Sequence, residues 1–312
     1  MCELALIGEV YMLDIIFVIL NYNHSIETVK CIWSIRKKID TKAYAIIVVD
    51  NGSTKKEVQK LHRIFDSTKD GFLICLDKNI GFAKGNNVGI KKARTIGAKY
   101  ICCLNDDTKL VSKNLVSILE DRYSKYKSAV IGPAIIQHNG KFCRFNHPFH
   151  SLTYYKNYLE NIENAQYQSS NVNRVKYWVL NNLRVVPFFY FVLNYGYEKI
   201  KSKEQEITDV VLQGSCLIFT PEFFKYLQGF NQRTFLYYEE EFLIADLKIH
   251  KIHSLYCPNI QIYHKGGAST KLMSGKDEKR NWEFSHSYLL ESCKAFVSYL
   301  EENTEDIYSA EI

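Results

Sequence analysis

Three short stretches of this chain carry the residue types that chemistry needs. Residues 102–110 read CCLNDDTKL, so Asn105, Asp106 and Asp107 directly follow an apolar run. Two adjacent carboxylates where a buried strand leaves the core make either a polar turn or one edge of a site for a divalent cation and phosphate, since hard cations take oxygen ligands. Residues 236–247 read LYYEEEFLIADL, in which Glu239, Glu240 and Glu241 open a helical pattern. That run is either a solvated first turn, which the helix dipole favours, or a carboxylate whose pKa rises beside its neighbours until it can take up a proton. Residues 260–267 read IQIYHKGG, so His264 and Lys265 precede two glycines that let backbone approach a phosphate closely.

The elements that must hold these stretches follow from hydrophobic spacing. LDIIFVIL, from Leu13 to Leu20, has the near-continuous apolar pattern of a strand buried on both faces. SIETVKCIWSIRKKI approximates helical spacing through Ile26, Val29, Ile32, Trp33 and Ile35, with Ser25 as its N-cap. YAIIVV is a second strand and DNGST a turn, after which Thr54 and Glu57 stand at capping-box spacing. FLICL is a third strand, GFAKGNNVGIKKARTIG a loop and helix closing near Gly97, and KYICCL a fourth strand. Ser112 caps the next helix and SAVIGPAII is a fifth strand. This alternation specifies a mostly parallel sheet with helices on both faces, and such sheets bind ligands beyond the carboxyl ends of their strands. Polar residues collect there: Asn21-Tyr22-Asn23, Asp50-Asn51-Gly52-Ser53, Asp77-Lys78-Asn79 and Asn105-Asp106-Asp107 follow the first four strands. Any one of these is an ordinary turn; four at one edge point to a shared site.

Residues 138–208 break the rhythm. They are rich in Tyr, Asn and Lys, include the apolar FFYFVL, and read as a partly helical insertion. VVLQGSCLIFT then restores a strand, and Pro221 opens the helix PEFFKYL, closed by Gly229. FLYYEEEFLIADLKIH enters a helix that turns Phe242, Leu243, Ala245 and Leu247 to the core. SLYCPNIQIYHKGG is a strand or two, EKRNWEFSHSYLLESCKAFVSYL a final helix, and EENTEDIYSAEI an acidic, frayed tail.

Composition narrows the class. With 312 residues and 46% hydrophobic content, the chain fills a sizeable core as one large domain or two small ones. Its net charge of +6 favours anionic substrates or an acidic membrane surface but is too small and dispersed for nucleic acid. The nine cysteines include no CxxC pair, which fits reduced, core-filling cysteine in a cytosolic protein and speaks against zinc. The start of the chain carries Glu3, Glu9 and Asp14, a poor signal peptide, and no apolar run reaches membrane-spanning length. The 22 Tyr and 18 Phe supply amphipathic surface for sugars, lipids or partners.

FVILNYNHSIETVKCIWSI, IIVVDNGST, NIGFAKGNNVGI and CLNDDT, continued by GSCLIF, GFNQRTFLYYEEEF and YHKGGAST, resemble the family 2 glycosyltransferases in order and spacing. The nearest subgroup is similar to the rhamnosyltransferase-like enzymes of bacterial surface polysaccharide synthesis. The resemblance covers most of the chain apart from the insertion and the tail. It implies a GT-A fold, with a Rossmann-like, mostly parallel central sheet flanked by helices on both faces. It also implies inverting transfer from a nucleotide-diphosphate sugar, of UDP or dTDP type, to a hydroxyl of a glycan or lipid-linked saccharide, with Mn²⁺ or Mg²⁺. Residues 1–137 would then be the nucleotide-sugar half, 138–208 an acceptor- or membrane-facing insertion, 209–300 the acceptor and catalytic half, and 301–312 the tail. By the same resemblance, Asn21, Tyr22 and Asp50 lie at the base, with Asn51 and Gly52 shaping the loop. Asn79, Gly81 and Asn86 line the nucleoside and diphosphate pocket. Asn105, Asp106 and Asp107 form the DxD-type motif, with Asp107 on the metal. Glu240 is the general base, with Glu239 second in line, and His264 lies near metal and diphosphate. Lys84 and Lys265 are either phosphate partners or solvated cations.

Two positions depart from the family pattern. Asn105 stands where many relatives carry Asp, which removes a charge but keeps a hydrogen-bonding group for a ribose hydroxyl. Phe242 stands where many carry a further Asp. Other readings are a binding module resembling phospho-acceptor domains, for which the chain is too long, and an inactive homologue that scaffolds other proteins. The insertion either covers a lipid-borne acceptor, making the protein peripheral at the inner face of the cell membrane, or is ordinary packing of a small helical subdomain.

Overall fold

The structure, a computed structural model, describes residues 12–65, 70–143, 146–165, 205–266 and 277–308. The insertion's apolar FFYFVL, Gly267 and the last four residues lie outside the described residues.

The first half alternates as its spacing predicts. β1 (Leu13–Asn21), α1 (Ser25–Lys38), β2 (Tyr44–Asp50), α2 (Lys55–Phe65), β3 (Gly71–Cys75), α3 (Phe82–Ile96) and β4 (Ala98–Asn105) follow in order. Next come β5 (Thr108–Leu110), α4 (Leu115–Tyr126), β6 (Val130–Gln137), β7 (His147–Pro148) and α5 (Leu152–Glu163). The second half adds β8 (Ile207–Thr208), β9 (Val210–Val211), β10 (Cys216–Phe219) and α6 (Pro221–Phe224). It closes with α7 (Glu239–Ile249), β11 (Ser254–His264), α8 (Glu278–Glu302) and α9 (Thr304–Tyr308).

One mixed sheet carries the molecule, in the order β3-β2-β1-β4-β10-β6-β11-β5, with β8 on β11. The strands β3, β2, β1 and β4 run parallel, β10 is antiparallel to both neighbours, and β6 and β11 are parallel again. The carboxyl ends of β1, β2, β4 and β11 therefore share one edge. Ile15 to Ile19 are fully buried on both faces of β1. Each such side chain contributes about 1.5–3 kcal/mol, which confines the strand's polar residues to its ends. One face packs α3, the other α1, α2 and α4. α3 lies close because it presents glycine: a Cβ on Gly89 would come within 2.3 Å of Val18 Cγ1. A third cluster joins Tyr155 of α5, Phe242 of α7, Phe296 of α8 and Ile307 of α9.

Several local expectations are corrected. Ser25 is the first residue of α1 rather than its cap, and its hydroxyl bonds Glu57. Glu57 is thereby spent on joining α2 to α1 and on Lys60, so no capping box forms with Thr54. Ser112 does not cap α4, whose N-cap is Asn114; it accepts from Gln261 N at 2.8 Å and ties the β5–α4 loop to β11. The stretch from Val210 is two strands broken at Gly214, the second antiparallel to its neighbours. Gly229 does not close α6, which ends at Phe224 capped by Lys225; it leaves room for Asn87, whose Oδ1 accepts from Phe230 N at 2.8 Å. The acidic tail is not frayed throughout: α9 buries Ile307, and Tyr308 donates to His150 O at 3.0 Å. No disulfide links the described cysteines. Among the described residues no helix is long and apolar enough to cross a membrane.

Candidate active site

At the ends of β1 and β2 a buried polar network forms the floor of the site. Asn21 Nδ2 donates to Asp50 Oδ1 at 2.6 Å and to Ser53 Oγ at 3.2 Å, while its Oδ1 accepts from the Thr28 hydroxyl at 2.8 Å. Asp50 also accepts from Ser53 N at 3.0 Å, which leaves lone pairs of a carboxylate with roughly four acceptor sites. Asn51 staples two loops together: Nδ2 donates to Asn79 Oδ1 at 2.9 Å and Gly81 O at 3.1 Å, and Oδ1 accepts from Ile80 N at 3.0 Å. Gly52 and Gly81 have φ of +78° and +91°. A Cβ at Gly52 would lie 2.4 Å from the Lys78 carbonyl carbon, and one at Gly81 2.5 Å from Phe235 O. Glycine is therefore required at both, because side chains would push the loops apart. Tyr22 is half-buried at the same edge. Asn86 is buried but bonds Phe82 O within its own helix, and Lys84 is exposed on α3.

The Asn-Asp-Asp stretch sits between β4 and β5, beside β11. His264, at the end of β11, brings Nε2 within 3.0 Å of Asp107 Oδ1, while Gly266 N donates to Asp107 Oδ2 at 3.1 Å. Burial pushes the Asp107 carboxyl up, but His264 overrides it and holds the group below the usual carboxylate range. Asp106 differs. It is 2% exposed, one oxygen contacts His24 Nδ1 at 3.3 Å, and its Oδ2 has no hydrogen-bond partner. Burial lifts its pKa to about 6. Lys265 reaches Glu27 Oε1 at 3.0 Å, an oxygen shared with Lys30.

Across the edge, α7 presents the glutamates. Two successive residues with positive φ, Tyr237 at 74° and Tyr238 at 69°, lead into it. Each costs on the order of 1–3 kcal/mol, and the conformation is held by burial of Tyr238, whose hydroxyl meets Cys293 Sγ at 3.0 Å. Glu240 Oε1 accepts from Gly214 N at 3.0 Å. The carbonyl of the next residue, Ser215, accepts from Asn105 N at 3.0 Å, so the glutamate and the aspartate motif hang on consecutive residues before β10. Glu239 is buried with Oε1 unpartnered, and burial together with the Glu240 charge holds its carboxyl well above the usual range. Phe242 is 1% exposed and packs edge-on to Phe296 at 4.9 Å, so the position where relatives carry Asp belongs here to the core.

The structure thus gathers Asn21, Asp50, Asn105, Asp106, Asp107, Glu239, Glu240 and His264 along one sheet edge, with Asn51, Gly52, Asn79 and Gly81 shaping its loops. His24 and the Gly214 amide are functional candidates that sequence reasoning missed. His24 follows a polar strand end and precedes a helix, a signal available in NYNHS. The break at Gln213-Gly214-Ser215 within an apolar run was the signal for the other.

Among the described residues no group of three or more His, Cys, Asp and Glu is gathered that could hold a metal unaided. What exists is a carboxylate–imidazole pair, Asp107 and His264, beside an orphaned oxygen of Asp106. That set fits a hard divalent ion completing its shell with water and phosphate oxygens, and does not fit a closed structural zinc site.

The model of Glycosyl transferase family 2 matches residues 16–182. Among solved structures, GalNAc-T7 with UDP, GalNAc and Mn²⁺ superposes with a TM-score of 0.53 at 14% identity, over 96% of this chain and 58% of that one. The mannosyltransferase PcManGT from Pyrobaculum calidifontis, with GDP-Man and Mn²⁺, gives 0.50 at 10% identity over 93% and 71%. S. aureus TarS 1-349 with UDP-GlcNAc gives 0.36 at 19% identity over 41% and 36%. The chain thus spans about a third of that TarS chain and somewhat over half of GalNAc-T7. No curated protein matches in sequence. The architecture is the mixed α/β GT-A fold. With more than half of its 312 residues matched, the chain belongs to glycosyl transferase family 2.

Proposed function

We propose that the protein is an inverting glycosyltransferase. It moves a sugar, hexosyl or deoxyhexosyl, from a nucleotide-diphosphate donor of UDP or dTDP type to a hydroxyl of a saccharide acceptor, in the manner of the rhamnosyltransferase-like subgroup. The observation that carries this reading is the joint anchoring of Asp107 and Glu240. Asp107 is held ionised against His264 and the Gly266 amide, while Glu240 hangs on Gly214, the neighbour of the Ser215 that fixes Asn105.

Each group then has a task. Asn21, Tyr22, Asp50, Asn51, Gly52 and Asn79 shape the nucleoside pocket. Gly81, Lys84 and Asn86 line the entrance of α3, whose N-terminal dipole favours the diphosphate. Asn105 accepts or donates to a ribose hydroxyl. Asp107 and His264 would hold Mn²⁺ or Mg²⁺ beside Asp106, and the bound ion supplies positive charge to the departing diphosphate. Glu240 takes the proton of the acceptor hydroxyl as its oxygen bonds the anomeric carbon and the bond to the diphosphate oxygen breaks. That single displacement inverts the centre and needs no covalent nucleophile. Glu240, fixed by the Gly214 amide, takes the base role ahead of Glu239, which is buried with its carboxyl held well above the usual range.

The test is a screen of nucleotide sugars for hydrolysis with Mn²⁺ present. Release of a nucleoside diphosphate from at least one donor, lost on chelation, is expected. No turnover and no binding of any donor would leave only a non-catalytic homologue.

A further inference from the structure

The first three helices of the chain are rich in lysine and arginine. α1 carries four Lys and Arg against Glu27, and α2 carries four against Glu57, so the two helices hold eight cations against two carboxylates, an excess of six. α3, on the opposite face of the sheet, carries four cations against none, so what marks α1 and α2 is the surface in which their cations are set. The fold lays both helices on one face of the sheet, over Ile32, Ile35 and Leu61. It also turns both carboxylates inward: Glu27 onto Lys30 and Lys265, Glu57 onto Ser25 and Lys60. Lys30, Lys37, Lys56 and Arg63 remain exposed.

On this same surface two large apolar side chains project into solvent. Ile26 is 59% exposed and Trp33 60%. Seven residues apart, they lie two turns from one another on one helix face, with Lys30 between them and Lys37 a turn beyond. Isolated exposed apolar residues need no explanation, but a tryptophan and an isoleucine set among cations form an interfacial surface. Indole sits at the level of lipid headgroups, and lysine stems lie along the bilayer while their ammonium groups meet phosphate. A second copy of the chain would instead bring like charge against like charge.

We propose that the outer face of α1 and α2 docks on an anionic lipid surface. The docked face borders the carboxyl edge of the sheet, since His24 at the start of α1 contacts Asp106 and Glu27 contacts Lys265. Docking is independent of glycosyl transfer; delivery of a lipid-borne acceptor to that edge is its use only if the transfer reading holds.

The experiment is cosedimentation of the full chain with phosphatidylcholine vesicles, with and without phosphatidylglycerol, in the absence of donor and acceptor. A failure of the transfer reading therefore leaves it intact. Binding is expected only with the anionic lipid, and is expected to vanish at about 0.5 M salt, where the Debye length falls below about 5 Å. Trp33→Ala lowers the partition coefficient several-fold. Lys37→Gln with Lys56→Gln lowers it about 25-fold, at roughly fivefold per lost cation. Unchanged melting temperatures confirm that these exposed substitutions leave the fold intact. Absence of anionic-vesicle binding, or binding indifferent to both variants, overturns the proposal. So does a Trp33-dependent dimer or retention on nucleic acid without vesicle binding.

Discussion

The two acidic clusters of the edge are built alike and differ in how far their buried carboxylates are pushed. In each, the first carboxylate is buried with one oxygen unpartnered, Asp106 Oδ2 and Glu239 Oε1, and the second accepts a backbone amide, Asp107 from Gly266 and Glu240 from Gly214. The difference is imidazole. The aspartates have His24 and His264 at 3.3 and 3.0 Å, whereas Glu239 is pressed by its own burial and by the charges of Glu240 and Glu241. Beside imidazole the Asp106 carboxyl rises only to about 6 and Asp107 is held below the usual range, whereas Glu239 is pushed well above it. On the proposed function, equal residue types serve a cation-and-phosphate station on one side and a proton-handling station on the other, decided by what faces them.

That contrast can be broken residue by residue. Asp107→Ala should have the largest effect, removing Mn²⁺-dependent donor turnover by about 10³-fold, in the range seen when one charge-stabilising group is lost. Glu240→Gln should lower kcat by about 10²- to 10⁴-fold while donor affinity, measured by calorimetry, stays within a few-fold. Loss of donor binding instead would move Glu240 to the other station. His264→Ala should weaken Mn²⁺ binding about 10- to 100-fold and let the Asp107 pKa rise, so the acid limb of the pH–rate profile shifts upward. Glu239→Gln should keep turnover within about tenfold, because the amide resembles the protonated acid; a collapse equal to that of Glu240→Gln would make the two glutamates one unit.

Stability gives the mildest test and the opposite sign. Asp106 has a folded pKa of about 6, above its unfolded value, so the folded state binds the extra proton between about pH 4 and 6. Rising pH through that window therefore costs stability, and the loss is complete above it. Asp106→Asn should melt higher than wild type at pH 8, by up to about 3 kcal/mol, and converge with it near pH 4. Wild type equal to the variant at both pH values would show that Asp106 is not strained.

Spacing alone located the first four strands, the polar ends that line the edge and the acidic start of α7. It misjudged the residues whose partners are distant in sequence. Glu57 looked like a local cap for Thr54, yet it bonds Ser25, 32 positions away. Ser112 looked like a helix cap and instead joins Gln261. His24 was overlooked because its partner, Asp106, lies 82 positions on. The cations of α1 and α2 likewise looked dispersed along the chain, and the fold lays the two helices on one face of the sheet. Local chemistry is legible in sequence; pairings made by the sheet are not.

The central claim is that Asp107 and His264 hold a divalent ion together with the donor's diphosphate. Electron paramagnetic resonance of Mn²⁺, titrated with and without a nucleoside diphosphate, measures this directly. The account predicts tight Mn²⁺ binding that strengthens when the diphosphate is present and disappears in Asp107→Ala. Mn²⁺ binding that ignores both the nucleotide and the substitution would contradict it.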